Sequence, residues 1–132
     1  MVNQTEHLSE QKRILVIDDE SGIRELLQEI LSLEGYDTIS ASNGPQAIGL
    51  FRNQSFDLVI VDLLMPGMSG SEVAKALFEE NPEVPIILIT GSDSDTIESE
   101  TANIPIASIL TKPFVMDDVL GLVSRLIASS QN

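Results

Sequence analysis

A doubly wound α/β sandwich, a parallel sheet between two layers of helices, is the fold this sequence predicts. Three observations carry that expectation. Short β-rich runs recur five times: RILVI at 13–17, YDTIS at 36–40, LVIV at 58–61, IILIT at 86–90 and IASIL at 106–110. The first, third and fourth are almost continuously apolar, as strands buried on both faces of a parallel sheet are. Helical patterns separate the runs through short connections, the alternation that builds such sandwiches.

The elements follow in order. After RILVI, residues Ile23, Leu26, Leu27, Ile30 and Leu31 repeat at helical spacing and make one apolar stripe, with Gly35 as the stop. The second helix starts at Pro45, whose fixed φ suits a first turn, and carries Ala47, Ile48 and Phe51 inward. Ser69 and Glu72 match a capping box at the start of the third helix, which turns Val73, Ala74 and Leu77 to the core. The segment GSDSDTIESETANIP at 91–105 is rich in Ser, Thr and Asp and has little apolar stripe, so its helix is expected to be short or mobile. The last helix carries Val119, Leu120, Val123, Leu126 and Ile127. One domain spans residues 1–132, with a core of about 13–127 and frayed ends.

Composition narrows the function. With no cysteine, disulfides and thiolate metal sites are impossible. The formal charge is −14 and Lys and Arg together number only 7, which argues against direct nucleic-acid binding. The leader MVNQTEHLSEQKR lacks the apolar core of a signal peptide, and no apolar run approaches membrane-spanning length, so a cytoplasmic protein without membrane insertion is expected. His7 is the one histidine and sits in that leader, which leaves histidine catalysis poorly supported.

Polar residues gather where the runs end. In open parallel sheets, ligands bind outside the carboxyl ends of the strands. The first run ends at Asp18-Asp19, the third at Asp62 and the fourth at Thr90, and the fifth runs into Lys112-Pro113. Each has an ordinary reading: a helix cap for Asp18 or Asp19, a turn for Asp62, a strand terminus for Thr90, a surface lysine for Lys112. Their conjunction is harder to dismiss. Two carboxylates about 4 Å apart repel by about 4 kcal/mol at an effective dielectric of about 20, so three converging acids need compensating cations. Lys112 supplies one charge, and a hard divalent ion with oxygen ligands, Mg²⁺ above all, fits the remaining deficit. A carboxylate can also hold phosphorus as an acyl phosphate, with a metal, a lysine and a hydroxyl neutralising the transferred group.

The motifs ILVIDDE, VIVDLLMPGMSG, ILITG and ILTKPF, in this order and spacing, resemble the receiver domain of two-component response regulators over residues 13–127. The resemblance implies a flavodoxin-like (βα)5 fold with strand order 2-1-3-4-5. It implies that Asp62 accepts a phosphoryl group from a histidine kinase or histidine phosphotransfer protein. It also implies that Asp18, Asp19, Asp62 and the backbone carbonyl of Leu64 hold Mg²⁺. Thr90 matches the hydroxyl that bonds the phosphoryl group and moves on activation, and Lys112 the cation that pairs with a phosphoryl oxygen. Pro66 and Gly67 match the turn after the phosphoacceptor, and a cis Lys112–Pro113 bond is implied. The first helix and the loop after Lys112 are the implied kinase-docking surfaces. Such a module is a signalling phosphoprotein that assists its own phosphotransfer and dephosphorylation, not an enzyme acting on a separate substrate. It passes its signal to a downstream protein, as a monomer or weak homodimer. A stand-alone regulator and a receiver excised from a larger protein both fit, the Met1 start and polar tail leaning to the former.

Two positions depart from the family pattern. Ile109 stands where a Tyr or Phe usually swings inward as Thr90 moves, so the switch must repack an aliphatic side chain or use the backbone. Leu64, two residues past Asp62, cannot hold an attacking water by hydrogen bonding, and Ser92 could do so only weakly; slow self-dephosphorylation is expected. Ile109 also keeps open a phosphorylation-independent interaction module, a pseudo-receiver. A haloacid dehalogenase-like phosphohydrolase needs an acid at position 64, and a flavin-binding flavodoxin needs aromatic residues and a phosphate loop that this chain lacks.

Overall fold

The computed structural model describes residues 11–91 and 104–130. The strands are β1 (Arg13–Ile17), β2 (Asp37–Ala41), β3 (Leu58–Asp62), β4 (Ile86–Thr90) and β5 (Ser108–Thr111). The helices are α1 (Ser21–Ser32), α2 (Gly44–Asn53), α3 (Gly70–Glu80) and α4 (Met116–Ser130). All strand pairs are parallel, in the order β2-β1-β3-β4-β5. This is the flavodoxin-like order, in which the chain steps outward from β1 in both directions and leaves a switch point between β1 and β3.

Alternate residues of the central strands feed two separate cores. Leu15, Ile17, Val59, Val61, Ile86 and Leu88 pack with Ala47 and Phe51 of α2 and Val73, Ala74 and Leu77 of α3. Ile14, Val16, Leu58, Ile60, Ile87 and Ile89 pack on the other face with Leu27, Ile30 and Leu31 of α1 and Val119, Val123 and Ile127 of α4. Both faces are dry, which is why β1, β3 and β4 read as unbroken apolar runs. Truncating one of these buried leucines or isoleucines to alanine costs about 2–5 kcal/mol.

Helix boundaries follow from local chemistry. Asn43 caps α2 by accepting the Gln46 amide at 2.9 Å, ahead of the predicted Pro45. Ser69 and Glu72 form the expected capping box on α3. Gly35, at φ +82°, follows the last turn of α1, where the Tyr36 amide closes on Leu31. With the Tyr36 amide given to Leu31, β2 begins at Asp37, and pairing with Ile17 carries it on to Ala41, one residue later at each end than the sequence suggested. The fifth strand is shorter at its start than IASIL. The Ile106 amide turns back to Ile104 (2.9 Å), and the ladder begins at Ser108 opposite Ile87. Leu26 leaves the predicted stripe of α1 and is 43% exposed. The helix expected within 91–105, and His7 and Ser92, fall largely or wholly outside the described residues.

Candidate functional site

The acids converge at the carboxyl edge of β1 and β3, at the switch point. Asp62 is itself the last residue of β3, in register with Ile89, so the ladder fixes its backbone. Asp18 follows β1 directly, its amide bonded to the Ala41 carbonyl at 3.1 Å. One oxygen each from Asp18, Asp19 and Asp62 lies within 4.8 Å of the others. Asp18 is fully buried, Asp62 is 5% exposed and Asp19 is open to solvent.

Neither Asp18 nor Asp19 caps α1. The N-cap is Glu20, with no side-chain cap bond, and Asp18 Oδ1 instead accepts the Glu20 amide at 2.9 Å. Asp18 Oδ2 is buried without a hydrogen-bond partner. Burial is the main reason its pKa rises from 3.8 to about 6; the Glu20 amide opposes the rise, Asp62 adds to it, Lys112 opposes it and Asp19 adds to it. Asp62 is also raised, first by burial, with Lys112 pulling down, Asp19 pushing up and the Leu64 amide pulling down. An anionic oxygen kept dry and unsatisfied among other acids is costly unless a cation meets it. The donor set is all oxygen, which suits Mg²⁺ over softer metals.

Lys112 reaches the same point from the end of β5, with Nζ 3.7 Å from Asp62 Oδ1. Its backbone is tied to the site as well, since the Lys112 amide donates to the Thr90 carbonyl at 2.8 Å. The Lys112–Pro113 bond is cis. Thr90 ends β4 one residue beyond the register partner of Asp62 and is 1% exposed. Leu64 stands in the loop after β3 and is 62% exposed, and Gly67 turns that loop at φ +80°, a conformation side chains resist. Ile109, in register with Leu88, is 42% exposed.

Two residues shape the site beyond those to which the motifs give a role: Gly70 closes the motif VIVDLLMPGMSG, and Arg24 lies in none of them. Gly70 lies against the backbone of Asp62 and Leu63, and a Cβ there would collide with the Asp62 carbonyl. Arg24 donates from Nη1 to the Asp18 carbonyl at 2.8 Å. The one hint for Arg24 is its placement near the positive end of a helix, where a cation is disfavoured. Beside the acids, Ile23, Leu26, Lys112, Pro113 and Phe114 line an open apolar hollow.

The family described as response regulator receiver domain matches residues 14–124. Sporulation initiation phosphotransferase F of Bacillus subtilis (strain 168) is 31% identical over 121 residues, covering 92% of this chain and 98% of that protein. Among solved structures, response regulator protein TrrA from Thermotoga maritima, in complex with Mg(2+)-BeF, is 39% identical with a TM-score of 0.80, covering 88% of this chain and 99% of that one. A CheY-like response regulator receiver domain protein from Methanospirillum hungatei JF-1 is 26% identical with a TM-score of 0.87, covering 92% of this chain and 97% of that one. Among the described residues, no helix is long and apolar enough to cross a membrane.

Proposed function

Because the chain belongs to the receiver domains of two-component response regulators, we propose that Asp62 is its phosphoacceptor. The observation that carries this reading is the convergence of three carboxylates within 4.8 Å, with Lys112 Nζ 3.7 Å from Asp62. A carboxylate oxygen of Asp62 attacks the phosphorus of a partner's phosphohistidine; the O–P bond forms, the P–N bond breaks and imidazole leaves. No general base is needed, since the nucleophile is already anionic. Lys112 has only to swing its ammonium from the carboxylate to a phosphoryl oxygen, and the Thr90 hydroxyl donates to another. Asp18, Asp19, Asp62 and the Leu64 carbonyl would hold Mg²⁺. When bound, it supplies the positive charge that lets two anions meet.

The apolar hollow of Ile23, Leu26, Pro113 and Phe114 suits the apolar face of a kinase or phosphotransfer helix, which would bring its histidine beside Asp62. Ile109 carries the readout by repacking an aliphatic side chain on the edge strand as Thr90 shifts. Its exposure is the observation that keeps a phosphorylation-independent module as the second reading. Leu64 offers an attacking water no hydrogen bond, so the acyl phosphate is long-lived. Incubation with Mg²⁺ and acetyl phosphate tests the reading by intact mass. One added phosphoryl group is expected on the wild type and none on Asp62→Asn. An unmodified wild type, under conditions that modify a control receiver, would replace this reading with the second.

A further inference from the structure

Asp18 is held at three points. Its amide donates to the Ala41 carbonyl, its Oδ1 accepts from the Glu20 amide, and its own carbonyl accepts from Arg24 Nη1 at 2.8 Å. Only Oδ2 is left over, buried and unbonded. The third bond is the unusual one. Arg24 sits near the start of α1, where the unpaired amides make the helix end positive and disfavour a guanidinium. α1 also lacks the devices that close the other helix starts. Its N-cap makes no side-chain bond and its first turn has no acid, whereas Asn43 caps α2 and Ser69 with Glu72 caps α3. The described ion pairs engage Arg13, Arg52 and Lys112, while Arg24 turns its charge to a backbone carbonyl beside the acids.

We propose that Arg24 is a positioning residue for cation binding at the acidic cluster, an assignment that rests on the cluster being the Mg²⁺ site. By pinning the Asp18 carbonyl, it fixes the peptide from which the carboxylate projects, and so keeps that carboxylate among the oxygens of Asp19 and Asp62. Without that bond the peptide can rotate and let the carboxylates drift apart, relieving their repulsion. The cation must then gather them again, and affinity falls. Groups that orient a metal ligand without touching the metal commonly change affinity by about 10–100-fold. Arg24 acts on affinity and not on the reaction of the loaded site, because it does not meet the Asp62 carboxylate or the phosphoryl group.

The test titrates the full chain with Mg²⁺ alone, following the amide NMR shifts of residues 18–20 in wild type, Arg24→Met and Arg24→Lys. The methionine variant should bind about tenfold more weakly. The lysine variant, which keeps one donor, should fall between it and the wild type. The rate of modification by acetyl phosphate at saturating Mg²⁺ should stay at the wild-type value in both. A wild-type dissociation constant in Arg24→Met overturns the assignment, as does a slowed reaction at saturating Mg²⁺ with unchanged affinity. Should Arg24→Met fail to fold, Arg24→Gln carries the same expectation and the same refutation. A wild type that does not bind Mg²⁺ overturns the cluster reading and the assignment with it; unchanged affinity in the variants overturns Arg24 alone.

Discussion

Substituting Asp18 by asparagine should make the cation-free protein more stable, although it removes a residue central to the site. The folded protein holds the Asp18 carboxyl at about 6 against an ordinary 3.8, so it binds more protons than the unfolded chain between those values. Stability therefore falls as pH rises from about 4 to about 6, and above that the whole penalty is present. The two values convert to about 3 kcal/mol, at about 1.36 kcal/mol per pKa unit. The asparagine side chain keeps an oxygen for the Glu20 amide and replaces the buried, unbonded Oδ2 by an uncharged amide nitrogen. Urea unfolding in EDTA at about pH 8 should show Asp18→Asn more stable by about 1–3 kcal/mol, with the gap closing near pH 4. Saturating Mg²⁺ should narrow or reverse the gap, because the wild type binds the ion better in the folded state. An asparagine variant no more stable than wild type at pH 8 in EDTA would refute the claim that burying the Asp18 charge destabilises the cation-free site.

Three further perturbations probe its other parts. Gly70→Ala places a methyl against the Asp62 carbonyl and 2.6 Å from Leu63 Cα, and should cost about 1–3 kcal/mol in urea unfolding; unchanged stability would mean the loop yields freely. Leu64→Asn gives the attacking water one hydrogen bond, worth about 1 kcal/mol, and should speed loss of the phosphoryl group about fivefold in a phosphate-release assay. A rate no faster than wild type would remove Leu64 as the cause of a long lifetime. Lys112→Met removes the cation 3.7 Å from Asp62 and should slow modification by acetyl phosphate about 100-fold or more, read by intact mass over time.

The sequence carried the sheet well where burial on both faces leaves no choice of residue. β1 and β4 begin and end where their apolar runs do. It carried β2 and β5 less well, because backbone bonds that no side-chain pattern announces, Tyr36 to Leu31 and Ile106 to Ile104, stand at their starts. Leu26 has the spacing of a core residue but faces the open hollow, since periodicity marks an apolar stripe without saying what covers it. At the site, the acids, Thr90 and Lys112 were legible as polar residues ending apolar strands. Asp62 proved to be the last ladder residue and not the one after it. The roles of Arg24 and of Gly70, which closes the motif VIVDLLMPGMSG, were not legible, because one acts through a carbonyl and the other through the absence of a side chain.

An acyl phosphate at Asp62 is a bond that borohydride reads at the residue that carries it. Reduction of the phosphorylated chain converts the modified aspartate to homoserine, and peptide mass mapping locates the change. Homoserine is expected at position 62 alone, dependent on prior treatment with Mg²⁺ and phosphodonor. Homoserine at Asp18 or Asp19, or an intact Asp62 in a chain that has gained a phosphoryl group, would contradict it.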